Sequence, residues 1–257
     1  MKIDQVAAIL YTLRDHCKTP ADVAATLKKV REIGYQAVQV SGICPMPEAD
    51  LNAMLADNGL TCCATHEPAL EIVDDTPKVI ERLQTLNCTH TAYPHPAGVD
   101  PAKEADWDEL IAKLAKAGEA MAGAGITLCY HNHGTEFVQF GGQTILERIY
   151  ERVPANFLQG EPDTYWIQYG GGNPVDWMRK LKGRLPLLHL KDYCFTPEGK
   201  PLFCEIGNGT LDFPAIIREA EAGGCRWFIV EQDVCPGDPF DSLQTSFDYI
   251  AANLVEA

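Results

Sequence analysis

The sequence predicts an α/β fold, a single-domain (β/α)8 TIM barrel over residues 1–257, on three observations. Short β-rich runs alternate with longer helical patterns about eight times, the number such a barrel needs in roughly 250 residues. Most helical patterns close on a glycine just before the next run, as Gly34, Gly59, Gly125, Gly183 and Gly224 do, the usual signal for a helix end. Ionisable residues fall at the ends of many runs, and a barrel brings strand ends together on one face.

In chain order the expected strands are QVAAILY (5–11), YQAVQV (35–40), LTCCAT (60–65), CTHTAY (88–93), ITLCYH (126–131), FLQGEP (157–162), LPLLHL (185–190) and RWFIVE (226–231). Between the first two, PADVAATLKKVREIG carries Val23, Leu27, Val30 and Ile33 as one helical stripe. Later helical patterns are PEADLNAMLADNG, WDELIAKLAKAGEAMAGAG, NPVDWMRKLKG and LDFPAIIREAEAGG. A doubly wound open sheet is the alternative, but no G-x-G-x-x-G follows the first run and polar strand ends are spread along the chain.

With 21 Lys and Arg against 36 Asp and Glu, the formal charge of -15 leaves no basic stripe for a phosphate backbone, so nucleic acid is not expected as a partner. No run of eighteen apolar residues and no signal-like start occurs, and a cytoplasmic protein without membrane association is expected. Ten cysteines lack any C-x-x-C spacing and read as reduced core thiols, with adjacent Cys62 and Cys63 facing opposite sides of a strand.

The chemistry concentrates in four strand ends. His131, Asp163, His189 and Glu231 each follow an apolar run, and together they offer the mixed imidazole and carboxylate donors that suit Mn²⁺, Mg²⁺, Co²⁺ or Zn²⁺. In YHNHGTEF, His131 and His133 are two apart and share a face, Asn132 points away, and Glu136 follows on the loop. His133 then binds metal or moves a proton and Glu136 acts as a base or grips a hydroxyl, or both only hydrogen-bond the loop. In HLKDY, Lys191 shares the face of His189 and either stabilises a developing oxyanion or pairs with a carboxylate. His66 and Tyr93 follow the third and fourth strands and suit substrate hydroxyls, and Trp166 either stacks on a sugar face or is an ordinary core tryptophan. Glu205 precedes the Gly-x-Gly turn of EIGNG, which is either a ligand cradle or a chain reversal.

YHNHGTEF (130–137), DTYW (163–166), GGNPVDWMRKLKGRLPLLHLKDY (171–193), EIGNGTLDF (205–213) and IVEQD (229–233) together resemble the xylose isomerase-like TIM-barrel superfamily over nearly the whole chain. Within it they look most like bacterial sugar phosphate isomerase/epimerase proteins and inosose dehydratase-like enzymes. The resemblance implies one divalent metal ion, with Asp163, His189 and Glu231 in three ligand places. In the fourth place, where the family carries a glutamate, this chain has His131. It further implies a small carbohydrate substrate and proton abstraction next to a carbonyl through an enediolate, with Glu231 in the proton chemistry and His133, Glu136 or Lys191 as base. Isomerisation or epimerisation is the first expectation, and β-elimination of the inosose dehydratase or keto-glycoside lyase kind the alternative. Endonuclease IV-like repair and non-catalytic sugar binding are remote ones. The departure at His131 favours isomerisation or elimination over symmetric epimerisation. Similar proteins form homo-oligomers, and phosphate on the substrate has little support, since GNG (207–209) is the one candidate cradle.

Overall fold

Parity along each strand decides which side chains face the barrel axis. In the computed structural model, which describes residues 1–256, eight parallel strands form one sheet. They are β1 Val6–Ile9, β2 Ala37–Val40, β3 Thr61–His66, β4 His90–Tyr93, β5 Thr127–His131, β6 Gln159–Glu161, β7 Leu187–Leu190 and β8 Trp227–Val230. Their spatial order is β6-β5-β4-β3-β2-β1-β8-β7, and a parallel bridge between Asp163 and His189 joins the two ends into a barrel. All eight expected runs are strands, with boundaries shifted by two residues at most.

Inside the barrel, Ala7, Ile9, Ala37, Cys63, Ala64, Ala92, Cys129, Leu187 and Ile229 pack on one another. Small residues dominate because an eight-stranded barrel leaves an interior just wide enough for side chains to fill. The alternate positions, among them Val6, Val38, Leu128, Tyr130, Leu188 and Phe228, pack outward against the helices. Cys62 and Cys63 do face opposite sides, next to a register shift between β2 and β3. All ten cysteines are free.

The helices follow local signals. Pro20–Ile33 begins with a Thr19 cap boxed by Asp22, buries Val23, Leu27 and Val30, and ends at Gly34 with φ 128°. A Cβ at Gly34 would lie 2.5 Å from the Phe247 ring, so close approach as well as backbone conformation requires glycine. Ala69–Asp74, Thr76–Thr85, Ile145–Arg152, Thr164–Tyr169 and Pro239–Asn253 are helices that the apolar pattern did not reveal. The first and fourth are too short to establish a period, and Pro239–Asn253 buries Phe240, Leu243 and Ile250 but also Ser242 and Ser246. None of the described helices is long and apolar enough to cross a membrane.

Beyond β7 an antiparallel hairpin, Asp192–Phe195 with Pro201–Cys204, stands at the barrel mouth. The Gly-x-Gly turn that follows it grips the chain itself. The buried Asp192 carboxylate accepts from the backbone N–H of Gly207 and Gly209 at 2.9 Å, and of Tyr193 at 2.8 Å. A Cβ on Gly209 would fall 2.2 Å from Asp192 Oδ1. The turn is thus a filled anion nest that ties the end of β7 to the loop before the next helix.

Gly118 lies inside the helix Glu104–Gly123, and a Cβ there would meet the Phe157 carbonyl oxygen at 2.0 Å. Helix propensity alone favours alanine by roughly 1 kcal/mol, but overpacking against a backbone atom costs about 1–3 kcal/mol. Gly118→Ala is therefore expected to lower the urea midpoint, and a raised midpoint would show that the helix can slide away from Phe157.

Candidate active site

Four strands end in pairs of polar residues two apart, so both members of each pair project inward at the mouth. The pairs are His131 and His133 after β5, Glu161 and Asp163 after β6, His189 and Lys191 after β7, and Glu231 and Asp233 after β8. All but His133 and Asp233 are almost fully buried.

Glu161, which the sequence reading did not single out, is the hub of the lower layer. Its carboxylate accepts from Gln39 Nε2 at 2.7 Å, and its Oε1 lies 2.5 Å from His66 Nε2, 3.2 Å from His189 Nε2 and 3.4 Å from His131 Nδ1. Burial pushes this carboxyl up, yet the surrounding His189 and His66 hold it well below the usual range. His189 is opposed by burial but raised to about 10 by Glu161 and Glu231, its Nδ1 lying 2.9 Å from Glu231 Oε2 and its Nε2 2.7 Å from Gln39 Oε1. His131 goes the other way: burial, then His189, drives it well below its usual value, and its Nδ1 has no hydrogen-bond partner.

Lys191 organises the upper layer. Its ammonium, 1% exposed, lies 2.8 Å from Asp163 Oδ2, 2.8 Å from Glu231 Oε2 and 3.0 Å from Asp233 Oδ2. Burial works against its charge, but the three carboxylates raise its pKa. Of the two sequence options for Lys191, pairing with carboxylates is the one observed. Asp163 divides its labour: Oδ1 caps the Thr164–Tyr169 helix by accepting from the Trp166 N–H at 3.0 Å, which leaves Oδ2 for Lys191. Its backbone N–H donates to Asn132 Oδ1 at 3.1 Å, so the middle residue of His-Asn-His anchors the neighbouring strand end.

Above these layers opens a cavity of about 1230 Å³, whose wall includes His66, His131, His133, Trp166, Phe203 and Glu231. His133 is held to about 3 by burial, with Lys191 adding repulsion, so its imidazole is neutral at ordinary pH. Its Nδ1 and the Trp166 Nε1 are buried without partners, and the two rings lie 5.2 Å apart. The neutral His133 imidazole and the Trp166 ring thus form one patch of the cavity wall.

Three expected residues lie elsewhere. Tyr93 is on the outward face of β4, because the inward parity there belongs to Ala92, and its ring stacks on Tyr130 at 5.8 Å. Glu136 has no exposed surface and accepts from Tyr130 Oη at 3.0 Å and the His133 N–H at 2.9 Å, so it holds the loop. Glu205 accepts from Ser242 Oγ at 2.8 Å and Asn208 Nδ2 at 3.2 Å, fastening the nest to the C-terminal helix. None of the three lines the cavity.

Burial raises the Glu136 carboxyl to about 7. The folded state therefore holds a proton that the unfolded chain loses above its ordinary pKa of 4.5, so stability is fully present below that value and falls as pH rises towards 7, by roughly 3 kcal/mol. Glu136→Gln should flatten this part of a pH–stability profile, whereas an unchanged slope would assign it to another group. Lys191→Met strands three carboxylates and should cost about 3–5 kcal/mol in chelator-treated protein. Urea unfolding with and without Mn²⁺ measures the loss and its partial recovery, and an unaltered midpoint would show that the ammonium carries no weight.

Residues His131, Asp163, His189 and Glu231 offer donor atoms that all lie within 4.8 Å of one another, a buried set of two imidazoles and two carboxylates that fits a divalent ion. A profile of the family described as xylose isomerase-like TIM barrel matches residues 27–252. An inosose dehydratase of Geobacillus kaustophilus is 23% identical over 87% of this chain and 85% of its own length. A sugar phosphate isomerase/epimerase from Parabacteroides distasonis superposes with a TM-score of 0.78 at 23% identity, covering 99% of this chain and 96% of its own. A xylose isomerase-like TIM barrel protein from Mycobacterium smegmatis, solved in complex with magnesium, gives a TM-score of 0.75 at 16% identity over 96% and 95% of the two chains. With the profile covering most of the chain and the barrel, its mouth and the donor cluster in place, the protein belongs to the xylose isomerase-like TIM barrel family.

Proposed function

We propose that the protein is a divalent-metal-dependent carbohydrate enzyme that removes a proton next to a carbonyl of a keto-sugar or keto-polyol. The observation that carries this reading is the pairing of a metal-ready cluster with His133, a half-buried imidazole that is neutral at ordinary pH and lines the same cavity. His131, Asp163, His189 and Glu231 would hold the ion, which would supply Lewis-acid polarisation of a carbonyl. His133 accepts the proton from the carbon, and Trp166 beside it donates its indole N–H to a ring oxygen or hydroxyl while its face packs on the sugar.

Symmetric epimerisation needs matched proton carriers on both faces of the substrate. Here one side presents a free imidazole, while the carboxylates opposite are bound to Lys191. Isomerisation or loss of a β-hydroxyl therefore fits better, and relatives named inosose dehydratase favour the loss of water. The substrate is expected to carry no phosphate, because Asp192 already fills the Gly-x-Gly nest.

The test is deuterium exchange in D₂O with a panel of keto-inositols and keto-sugars. Wild-type protein with Mn²⁺ should wash deuterium into the position next to the carbonyl, with an unsaturated product if water is lost. His133→Asn should slow exchange by about 10²–10⁴-fold with substrate binding retained. Exchange that survives both chelator and His133→Asn would sink the proposal.

A further inference from the structure

The lower layer contains a second constellation that shares two rings with the first. His66 Nε2, His131 Nδ1 and His189 Nε2 surround one oxygen, Glu161 Oε1, at 2.5, 3.4 and 3.2 Å. The donors of these four residues lie within 4.8 Å of one another. Bonds of about 2.0–2.1 Å in a tetrahedral zinc site put neighbouring ligand atoms about 3.3 Å apart, so the His131 and His189 separations are already those of a coordination shell. His131 Nδ1, on a side chain 3% exposed, has no hydrogen-bond partner. A buried ring nitrogen without a hydrogen bond, 3.4 Å from a carboxylate oxygen, is a polar atom that a metal ion would satisfy.

We propose that His66, His131, Glu161 and His189 form an inner transition-metal seat, mutually exclusive with the outer seat at Asp163 and Glu231. The exclusion follows from the rings. A neutral imidazole has a lone pair on one nitrogen only, and both shared histidines face the two seats through opposite nitrogens. His131 turns Nδ1 to Glu161 and Nε2 to Asp163, 4.0 Å away. His189 turns Nε2 to Glu161 and Nδ1 to Glu231. An ion in the inner seat leaves the His189 Nδ1–H to donate to Glu231, the carboxylate–histidine–metal arrangement that fixes a ring's tautomer. It also leaves the Lys191 ion pairs intact, whereas the outer seat draws on two oxygens that Lys191 holds. The inner ion displaces two bonds, between Gln39 Oε1 and His189 Nε2 and between His66 Nε2 and Glu161 Oε1.

Donor chemistry sorts the ions. Three imidazoles and one carboxylate select Zn²⁺ or Co²⁺, and the more oxygen-rich outer set admits Mn²⁺ and Mg²⁺. The inference stands apart from the reaction proposed above, since it is read by binding alone.

The experiment soaks crystals of the full chain separately with Zn²⁺ and Mn²⁺ and locates each ion by anomalous scattering. Zn²⁺ is expected among His66, His131, Glu161 and His189, and Mn²⁺ beside Asp163 and Glu231. Equilibrium titration of His66→Asn should show Zn²⁺ affinity lowered at least about tenfold and Mn²⁺ affinity within about twofold of wild type, with the reverse for Asp163→Asn. A Zn²⁺ peak between Asp163 and Glu231, no Zn²⁺ binding at all, or a His66→Asn protein that binds Zn²⁺ as wild type does would overturn the proposal. Should His66→Asn fail to fold, the wild-type maps alone decide.

Discussion

One carboxylate with no access to water sets the interior of this barrel. Glu161 stays ionised only because Gln39 donates to it and imidazoles from β3, β5 and β7 surround it, and a buried charge without such partners would cost several kcal/mol. Side chains from five of the eight strands are thereby fixed around one pair of oxygens. The same contacts constrain the rings of His131 and His189 at the mouth. The upper layer inverts the arrangement, with one ammonium held by three carboxylates. Stacked in this way, the layers place compensated charge beneath a cavity whose wall offers an unpaired imidazole and indole.

Closure of the barrel and assembly of the site are the same event. The bridge between Asp163 and His189 joins the first and last strands of the sheet order, and those two residues are also members of the metal-ready cluster. A chain that failed to close there would separate two of the four donors. Packing of the small inner residues and geometry of the site therefore support each other, as is usual where a functional constellation rests on rigid strands.

The eight strands were legible because short β-rich runs alternate with longer helical patterns that end on glycines. The four donors were legible as ionisable residues at strand ends. Glu161 escaped notice because it sits between Gly160 and Pro162 and reads as the polar body of a short run. The signal that finds it is the i, i+2 rule: it precedes Asp163 by the same step that separates His131 from His133 and Glu231 from Asp233. Parity also accounts for Tyr93, which follows inward-facing Ala92 and must therefore face the helices. Glu136 and Glu205 could not be placed in this way, since both lie on loops whose course depends on distant partners, Tyr130 for one and Ser242 for the other.

The nest around Asp192 has a consequence for how this enzyme scaffold varies. Four backbone amides clamp a side chain three residues beyond His189, which pins the root of the outer hairpin to the barrel. Phe203 of that hairpin lines the cavity and packs on Trp166 at 5.7 Å, while Phe195 and Leu202 are exposed. One short ribbon thus joins a fixed root to a free outer face, so its outer side chains can vary beside the cavity while the root keeps its hold on the strand.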